Sequence, residues 1–288
     1  MPIDQTSDQT PEPVSLSRSD FIRVTAGAGL ATMSGLKSAE AADGSVLPKA
    51  NGQGLLQLAL DAHGGIERWR KAESVDVKIS LTGGLYQLKG FPEGVPNVTM
   101  RFDARKPVAM TAPYGRPDHH GYFTPERVWI EDRGGKIVEE RMNPRDALES
   151  KARETPWDNL DRLYFTSYAM WNYITTPFLL AGPDVQTTEI ESHQENGDSW
   201  RRLLVRCPAS IPTHSEEQTF YFNDKGLLQR LDYTAVAPAS HYCFDHANFR
   251  GITIPTFRRV VVRTPAGPRV NGPSAVLIAI SDVSVNDA

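Results

Sequence analysis

The sequence predicts an α+β fold that combines a large antiparallel sheet of about 10–11 strands with one long helix rich in aromatic residues. The sheet is predicted because apolar and polar residues alternate with a period of two from Val75 onwards, with Gly-, Asn- and Asp-containing turns between the alternating segments. The helix is predicted because residues 157–176 replace this alternation with apolar and aromatic residues at three- and four-residue spacing.

The smaller elements follow from the same patterns in chain order. A first short helix is expected to begin after Gly52 and to end at the Gly64-Gly65 pair, which is typical of a helix C-terminus. Strands then continue from Val75 to a last strand at residues 275–285. The hairpin turns are expected at residues 132–135, 195–198, 223–226 and 250–251.

The long helix has a recognisable start and end. Thr155 is the predicted N-cap, Pro156 occupies the first helical position, Asp158 the third, and Pro177 ends the helix. One stripe of the helix is expected to contain Leu160, Leu163, Tyr164, Ser167, Tyr168, Trp171 and Ile174. Such a stripe either packs on the sheet or lines part of a cavity between helix and sheet.

Residues 1–48 are predicted to lie outside the fold. A basic segment with Arg18, a mildly apolar run and the small-x-small pattern Ala39–Ala41 resemble a twin-arginine-like export signal peptide. Ser19 departs from that pattern because it stands where the second arginine belongs. Two interpretations stay open: an export signal, which implies a periplasmic or secreted protein, and a disordered extension on a cytoplasmic one.

The composition limits the partners. The chain has 288 residues, is 40% hydrophobic and 23% charged, and carries a net charge of −4. Without a basic patch or stripe it is not expected to bind nucleic acid, and without a run of about 18–20 apolar residues it is not expected to carry a transmembrane segment. No linker divides residues 49–288, which predicts a single domain. The oligomeric state is not indicated by the sequence.

Four phrases carry a resemblance to a known group of proteins. They are AHGGIERWR, TPWDNLDRLYFTSYAMWNYITTPFLL, THSEEQTFYFNDKGLLQRLDY and GITIPTFRR. The phrases resemble an uncharacterised bacterial protein family, and the meander around a capped helix resembles the lipoprotein-localisation-factor (LolA-like) half-barrel. The resemblance covers residues 52–286. It implies a strongly curved, half-open barrel that wraps around the central aromatic helix and encloses an apolar cavity for acyl chains.

No metal or cofactor is expected. The sequence lacks the nucleophile-elbow, metalloprotease, phosphate-loop and dinucleotide-binding motifs. In the stretch HYCFDHANF, strand alternation splits the metal-ligand types His241, Cys243 and Asp245 from His246, so they cannot converge. The other face is expected to place Tyr242 and Phe244 toward the core or a cavity. If the protein is exported, Cys207 and Cys243 could form a disulfide.

The sequence therefore favours a binding or carrier protein for a hydrophobic small molecule or acyl chain. Arg258 or His214 is expected to provide the polar anchor. The predicted cavity wall comprises Tyr164, Tyr168, Trp171, Phe220, Phe222, Tyr233, Tyr242 and Phe244. The alternative is a cofactor-independent enzyme that acts on a small apolar metabolite, with His214 and Asp232 as acid and base side by side in a pocket. A third possibility is an interaction module without a ligand.

Overall fold

The computed structural model describes residues 54–288. The signal-like segment within residues 1–48 lies outside the described residues. No helix of the described part is both long and apolar enough to cross a membrane.

A 14-stranded antiparallel sheet forms most of the described chain. The strands are β1 Ala72–Thr82, β2 Val95–Asp103, β3 Ala109–Ala112, β4 His120–Phe123, β5 Arg127–Glu131, β6 Ile137–Met142, β7 Gln186–Glu195, β8 Asp198–Arg206, β9 Glu217–Phe222, β10 Leu228–Thr234, β11 Pro238–Phe249, β12 Ile252–Thr264, β13 Gly267–Pro268 and β14 Val276–Asp287. Their order is β6-β5-β4-β3-β2-β1-β14-β12-β11-β10-β9-β8-β7, and β13 pairs with β12 only. The sheet is not closed, since β6 and β7 are its two ends.

The strand count exceeds the predicted 10–11 because short strands are hard to separate by alternation alone. The segment before the predicted turn at residues 132–135 contains two strands, because a turn at Thr124 separates β4 from β5. The Thr124 amide donates to the Arg127 carbonyl at 2.8 Å, and the Arg127 amide donates to the Thr124 hydroxyl at 3.1 Å. Pro125 adds no amide donor that could continue the ladder.

Five α-helices within residues 54–288 accompany the sheet, and the last two connect its two halves. They are α1 Leu55–Ala62, α2 Ile66–Trp69, α3 Gly84–Leu88, α4 Pro144–Glu149 and α5 Asn159–Thr175, followed by a 3₁₀ helix at Phe178–Ala181. The chain leaves the first half at β6 and enters the second half at β7, so α4 and α5 must carry it from one end of the sheet to the other. Accordingly, Tyr164 packs on Phe123 of β4 at 5.7 Å between ring centroids, while Tyr173 bonds to Tyr233 of β10.

The N-cap of α5 lies three residues after the predicted one. Asp158 is the N-cap, and it forms a capping box with Asp161, because each carboxylate accepts from the backbone amide of the other residue. Thr155 belongs instead to a preceding turn, where its amide donates to the Ala152 carbonyl. Arg141 pairs with both aspartates and fixes this end of the helix.

Burial of α5 is more extensive than one stripe. Fifteen of its seventeen residues are buried, including Asp161, Arg162 and Thr166. Polar partners accompany them: Arg162 pairs with Glu93 at 3.2 Å, and Thr166 bonds to the hydroxyl of Tyr86 at 3.0 Å. The helix therefore has protein on several sides, and the polar residues that look solvent-facing in the sequence are satisfied internally.

Residues 62–70 and 251–259, two of the segments that carry the sequence resemblance, lie against each other. Gly64 follows α1 at φ 115°, and a Cβ atom there would stand 1.9 Å from the carbonyl oxygen of Gly251 in the β11–β12 turn. Next to it, the Thr253 amide donates to the His63 carbonyl at 3.0 Å. Glycine is required at residue 64 by this close approach of two backbones.

Candidate functional site

A cavity of about 280 Å³ lies beside α5, between that helix, α4 and the β10–β11 turn. Helix α5 supplies Tyr164, Phe165 and Tyr168, because residues 164 and 168 are one turn apart and point to the same side. The turn supplies Ala235 and Val236.

Aromatic rings form the floor of this cavity. The Trp157 and Phe165 centroids are 4.7 Å apart, those of Tyr164 and Tyr168 are 5.1 Å apart, and Phe165 lies 5.3 Å from the ring of His214. All five rings line the space. They form the aromatic part of the lining, on which a ligand can be buried.

Basic side chains surround that floor. Lys89, Arg145, Lys151 and Arg153 line the cavity with a single carboxylate, Glu149. Arg145 pairs with Glu149, and Lys151 and Lys89 have partners as well. Lys151 pairs with Asp161 at the helix start, and Lys89 donates to the carbonyls of residues 153 and 155, while burial lowers the pKa of Lys89 below its usual value. Basic side chains outnumber acidic ones among the lining residues.

Arg145 is the cation most directly associated with the rings. Its guanidinium lies 5.8 Å from the centroid of the Tyr168 ring, bonds to Glu149 at 2.9 Å and donates to the Thr213 carbonyl at 2.9 Å. These contacts fix a planar donor group at the edge of the aromatic floor. Arginine in this position can donate two parallel hydrogen bonds to a carboxylate or phosphate.

His214 is a neutral, fully engaged side chain. Its Nδ1 lies 2.9 Å from the Tyr168 hydroxyl and its Nε2 2.6 Å from the Tyr173 hydroxyl, and its ring stacks on Tyr233 at 4.3 Å. Burial, followed by the charge of Arg145, lowers the pKa of His214 to about 3. One nitrogen must therefore donate and the other accept, so neither is left to take a proton from a substrate.

Asp232 lies on the other face of the sheet from His214. Its carboxylate is bonded to Arg230 at 2.6 Å, to the Tyr221 hydroxyl at 2.9 Å and to the Ser240 hydroxyl at 2.7 Å. Neighbouring residues in β10 alternate, so Tyr233 faces the core with His214 while residue 232 faces away. The predicted His214–Asp232 acid/base pair is wrong.

The predicted wall residues divide into two groups. Tyr164 and Tyr168 line the cavity, whereas Trp171, Phe220, Phe222 and Tyr233 are buried in the hydrophobic core and do not line it. Trp171, for example, donates its indole N–H to the Asp103 carbonyl at 3.0 Å. The cavity thus lies on the side of α5 that faces α4 and the β10–β11 turn, and not between α5 and the sheet as expected.

The predicted facing of β11 is reversed. His241 and Cys243 are 0% and 3% exposed and lie inward, while Tyr242 joins a separate cluster with Trp200, Tyr221 and Val261, and Phe244 is 42% exposed. Tyr242 donates its hydroxyl to Glu195 at 2.7 Å. Neither aromatic residue lines the cavity. Cys207 and Cys243 are both buried and free, so the possible disulfide is not formed.

Arg258, the other predicted anchor, is also absent from the cavity. It is fully buried and donates to the backbone carbonyl of Tyr173 at 2.9 Å. The cations that do line the cavity were missed. Arg145, Lys151 and Arg153 lie just before the capped helix, but the same segment contains Asp146, Glu149 and Glu154 and so has no net charge. The segment therefore carries no charge signal for the cavity.

A second, larger cleft of about 600 Å³ lies near the start of α5. Its lining includes Arg162 and Glu93, which pair with each other at 3.2 Å, and His119, which lies 3.9 Å from Asp118. Acidic groups outnumber basic ones there, and many are already paired. Among residues 54–288 there is no group of three His, Cys, Asp or Glu side chains placed to hold a metal ion.

Comparison with known proteins gives likeness of fold only. No family model matches the chain, and no curated protein matches it. A LolA superfamily protein from Nitrosomonas europaea is similar at 11% identity over 81% of this chain and 94% of that one, with a TM-score of 0.46. A putative outer membrane lipoprotein-sorting protein domain from Vibrio parahaemolyticus is similar at 7% identity over 80% and 92%, with a TM-score of 0.48. A DUF1329 family protein from Desulfovibrio piger is similar at 11% identity over 81% and 92%, with a TM-score of 0.42.

The first of these structures belongs to the superfamily that the sequence resembles. At 7–11% identity the likeness concerns the course of the chain and not its ligand, so the function rests on the cavity itself.

Proposed function

We propose that this chain binds an amphipathic anion in the cavity beside α5: a hydrophobic small molecule or lipid with a single short acyl chain or ring system and a carboxylate or phosphate group. One observation carries the proposal. An aromatic floor built from Trp157, Tyr164, Phe165 and Tyr168 is bordered by four basic side chains and one acidic one. Apolar burial on the rings provides affinity, and the cations fix the orientation of the ligand.

The dimensions support a small ligand. About 280 Å³ lies near the lower end of the roughly 300–1,000 Å³ found for small-molecule pockets. A single chain or ring system fits such a space, whereas several acyl chains exceed it. Arg145 is the expected contact of the anionic group, because its guanidinium is held at the edge of the floor by Glu149 and the Thr213 carbonyl.

A catalytic role has no comparable support among the described residues. The proposed pair His214 and Asp232 is separated by the sheet, and both nitrogens of His214 are engaged by tyrosine hydroxyls. Export by the segment within residues 1–48 stays a prediction from the sequence.

Filling the cavity tests its role. Ala235 lines the space from the β10–β11 turn, so a tryptophan at residue 235 is expected to occupy it and to lower the affinity for decanoate at least about tenfold, or ~1.4 kcal/mol. Ala237, in the same turn, does not line the cavity, and A237W is the matched control. Isothermal titration calorimetry of wild type, A235W and A237W measures this. Wild-type affinity in A235W, or no decanoate binding by the wild type, contradicts the proposal.

A further inference from the structure

Arg258 of β12 is a fully buried cation without an anion. It is 0% exposed; one terminal nitrogen donates to the Tyr173 carbonyl at 2.9 Å, the other faces the Cys243 sulfur at 3.3 Å, and Nε has no partner. The Tyr173 ring supports it from one side, 5.3 Å from the guanidinium carbon. No carboxylate among residues 54–288 forms an ion pair with it, and the nearby Asp245 side chain is exposed.

This arrangement is unfavourable as it stands. A guanidinium keeps its proton inside proteins, and a buried charge is costly unless an opposite charge accompanies it. A carbonyl oxygen, a thiol and a ring face supply partial charges only. The site therefore has one uncompensated positive charge.

The titratable neighbours do not supply the missing negative charge. Burial lowers the pKa of His63 to about 4, and it also lowers the pKa of His241 and His246. Burial raises the pKa of the Cys243 thiol, despite the charge of Arg258, and raises that of Tyr173 well above its usual value. At neutral pH all of these groups are uncharged.

Unpartnered nitrogens accompany the arginine. Nε2 of His63, of His241 and of His246 is buried and has no hydrogen-bond partner among the described residues, as is true of Nε of Arg258. The His63 and His246 rings lie 6.2 Å apart, and the charge of Arg258 contributes to lowering the pKa of both. So many unsatisfied buried nitrogens in one place require a ligand or a water to complete them.

We propose that Arg258 binds a small monovalent anion, a halide or a carboxylate of formate size, in the protein interior between α1, β11 and β12. Nε donates the primary hydrogen bond. A monovalent ion matches the single guanidinium charge, and only a small one suits a side chain that is 0% exposed. Nδ1 of His63 already faces the Ala59 carbonyl at 2.8 Å, so an imidazole that gains a proton can donate to the anion through Nε2. None of these residues lines the cavity of the proposed function, and the two sites stand independently.

Bromide provides the direct test. Crystals of the wild-type protein grown in sodium bromide are expected to show an anomalous peak about 3.2–3.6 Å from Nε of Arg258. If the density at Nε is explained by water and shows no anomalous signal, the proposal is overturned. This experiment needs no variant and therefore does not depend on whether a substituted protein folds.

A stability measurement provides the second test. With the ionic strength held constant, replacing sulfate by bromide is expected to stabilise the wild type relative to R258M, because an ion that binds only the folded state stabilises it by mass action. Methionine removes the charge but keeps an unbranched apolar stem. R201M is the matched control, because Arg201 pairs with Glu189 on the surface at 2.8 Å, and it is expected to retain the bromide response. Identical bromide dependence in wild type and R258M, or a response lost in R201M, contradicts an anion at Arg258.

Discussion

Replacing Arg230 by alanine is expected to lower the free energy of unfolding by about 3–5 kcal/mol, because it removes the cation that binds the buried Asp232 carboxylate through two hydrogen bonds. Arg230 is 3% exposed and donates to Asp232 through two nitrogens, at 2.6 and 2.8 Å, and also to Glu195. Asp232 additionally accepts from Tyr221 and Ser240. This network lies on the face of the sheet opposite to the core.

R230A is expected to destabilise the fold because the Asp232 carboxylate is ionised. Burial raises the pKa of Asp232, but the hydrogen bond and charge of Arg230 outweigh burial and hold the pKa below its usual value. The carboxylate is therefore ionised at neutral pH, and in R230A it keeps only the more distant guanidinium of Arg263, whose Nε lies 3.7 Å away. Denaturant unfolding followed by circular dichroism measures the loss.

Two controls separate an orphaned charge from a lost side chain. Arg201 pairs with Glu189 at 2.8 Å on the exposed surface, and R201A is expected to cost no more than about 1 kcal/mol. The double variant R230M/D232L removes both charges and is expected to recover most of the stability lost in R230A. A cost for R230A as small as that of R201A refutes the buried network as a stabilising element.

Reversing the charge of Arg145 is expected to weaken decanoate binding at least about tenfold, or ~1.4 kcal/mol, while leaving decanol binding nearly unchanged. The reason is that Arg145 is the planar cation at the edge of the aromatic floor, whereas the floor itself is untouched by R145E. Titration calorimetry with the acid and the alcohol of equal chain length measures the difference. The ratio of the two affinities is the readout, since it cancels any general loss of folded protein.

The matched control changes the net charge by the same amount elsewhere. Arg133 is exposed in the β5–β6 turn and does not line the cavity, so R133E is expected to bind both compounds like the wild type. If R145E loses affinity equally for decanoate and decanol, Arg145 acts by packing. If R133E and R145E lose the same decanoate affinity, the effect is one of long-range charge. Either outcome rejects Arg145 as the anchor.

The sequence predicted the antiparallel meander and the long helix for physical reasons that are local. Alternation and turn residues define strands, and a capping residue with Pro177 at the far end defines a helix. The N-cap was misplaced because Thr155 and Asp158 both suit that position, and only the tertiary contacts of Asp161 with Arg141 and Lys151 decide between them.

The inward face of a strand was harder to predict. Alternation separates two faces but does not say which is inner, and here both faces of β11 and β12 carry buried residues. Val261 is 0% exposed and Tyr242 8% exposed on the outer side, so apolar character did not discriminate. The same limit applies to Asp232, whose buried partners lie on the face of β10 opposite to Tyr233.

The cavity itself depends on contacts between distant segments. Lys89 follows α3, Arg145 lies in α4, and His214 and Ala235 come from the second half of the sheet, so no local pattern brings them together. Of the predicted site, Tyr164, Tyr168 and His214 are found at the cavity because they belong to α5 or contact it. The aromatic helix was thus the informative signal, and the loops that complete the site were not predictable from spacing.

Native mass spectrometry of the protein purified from its source tests the central claim most directly. The wild type is expected to carry one additional small-molecule mass, released on denaturation and identified as an anionic amphiphile, and A235W produced in the same cells is expected to lack it. A wild type that carries no such mass and retains no added decanoate contradicts the claim that this cavity binds an amphipathic anion.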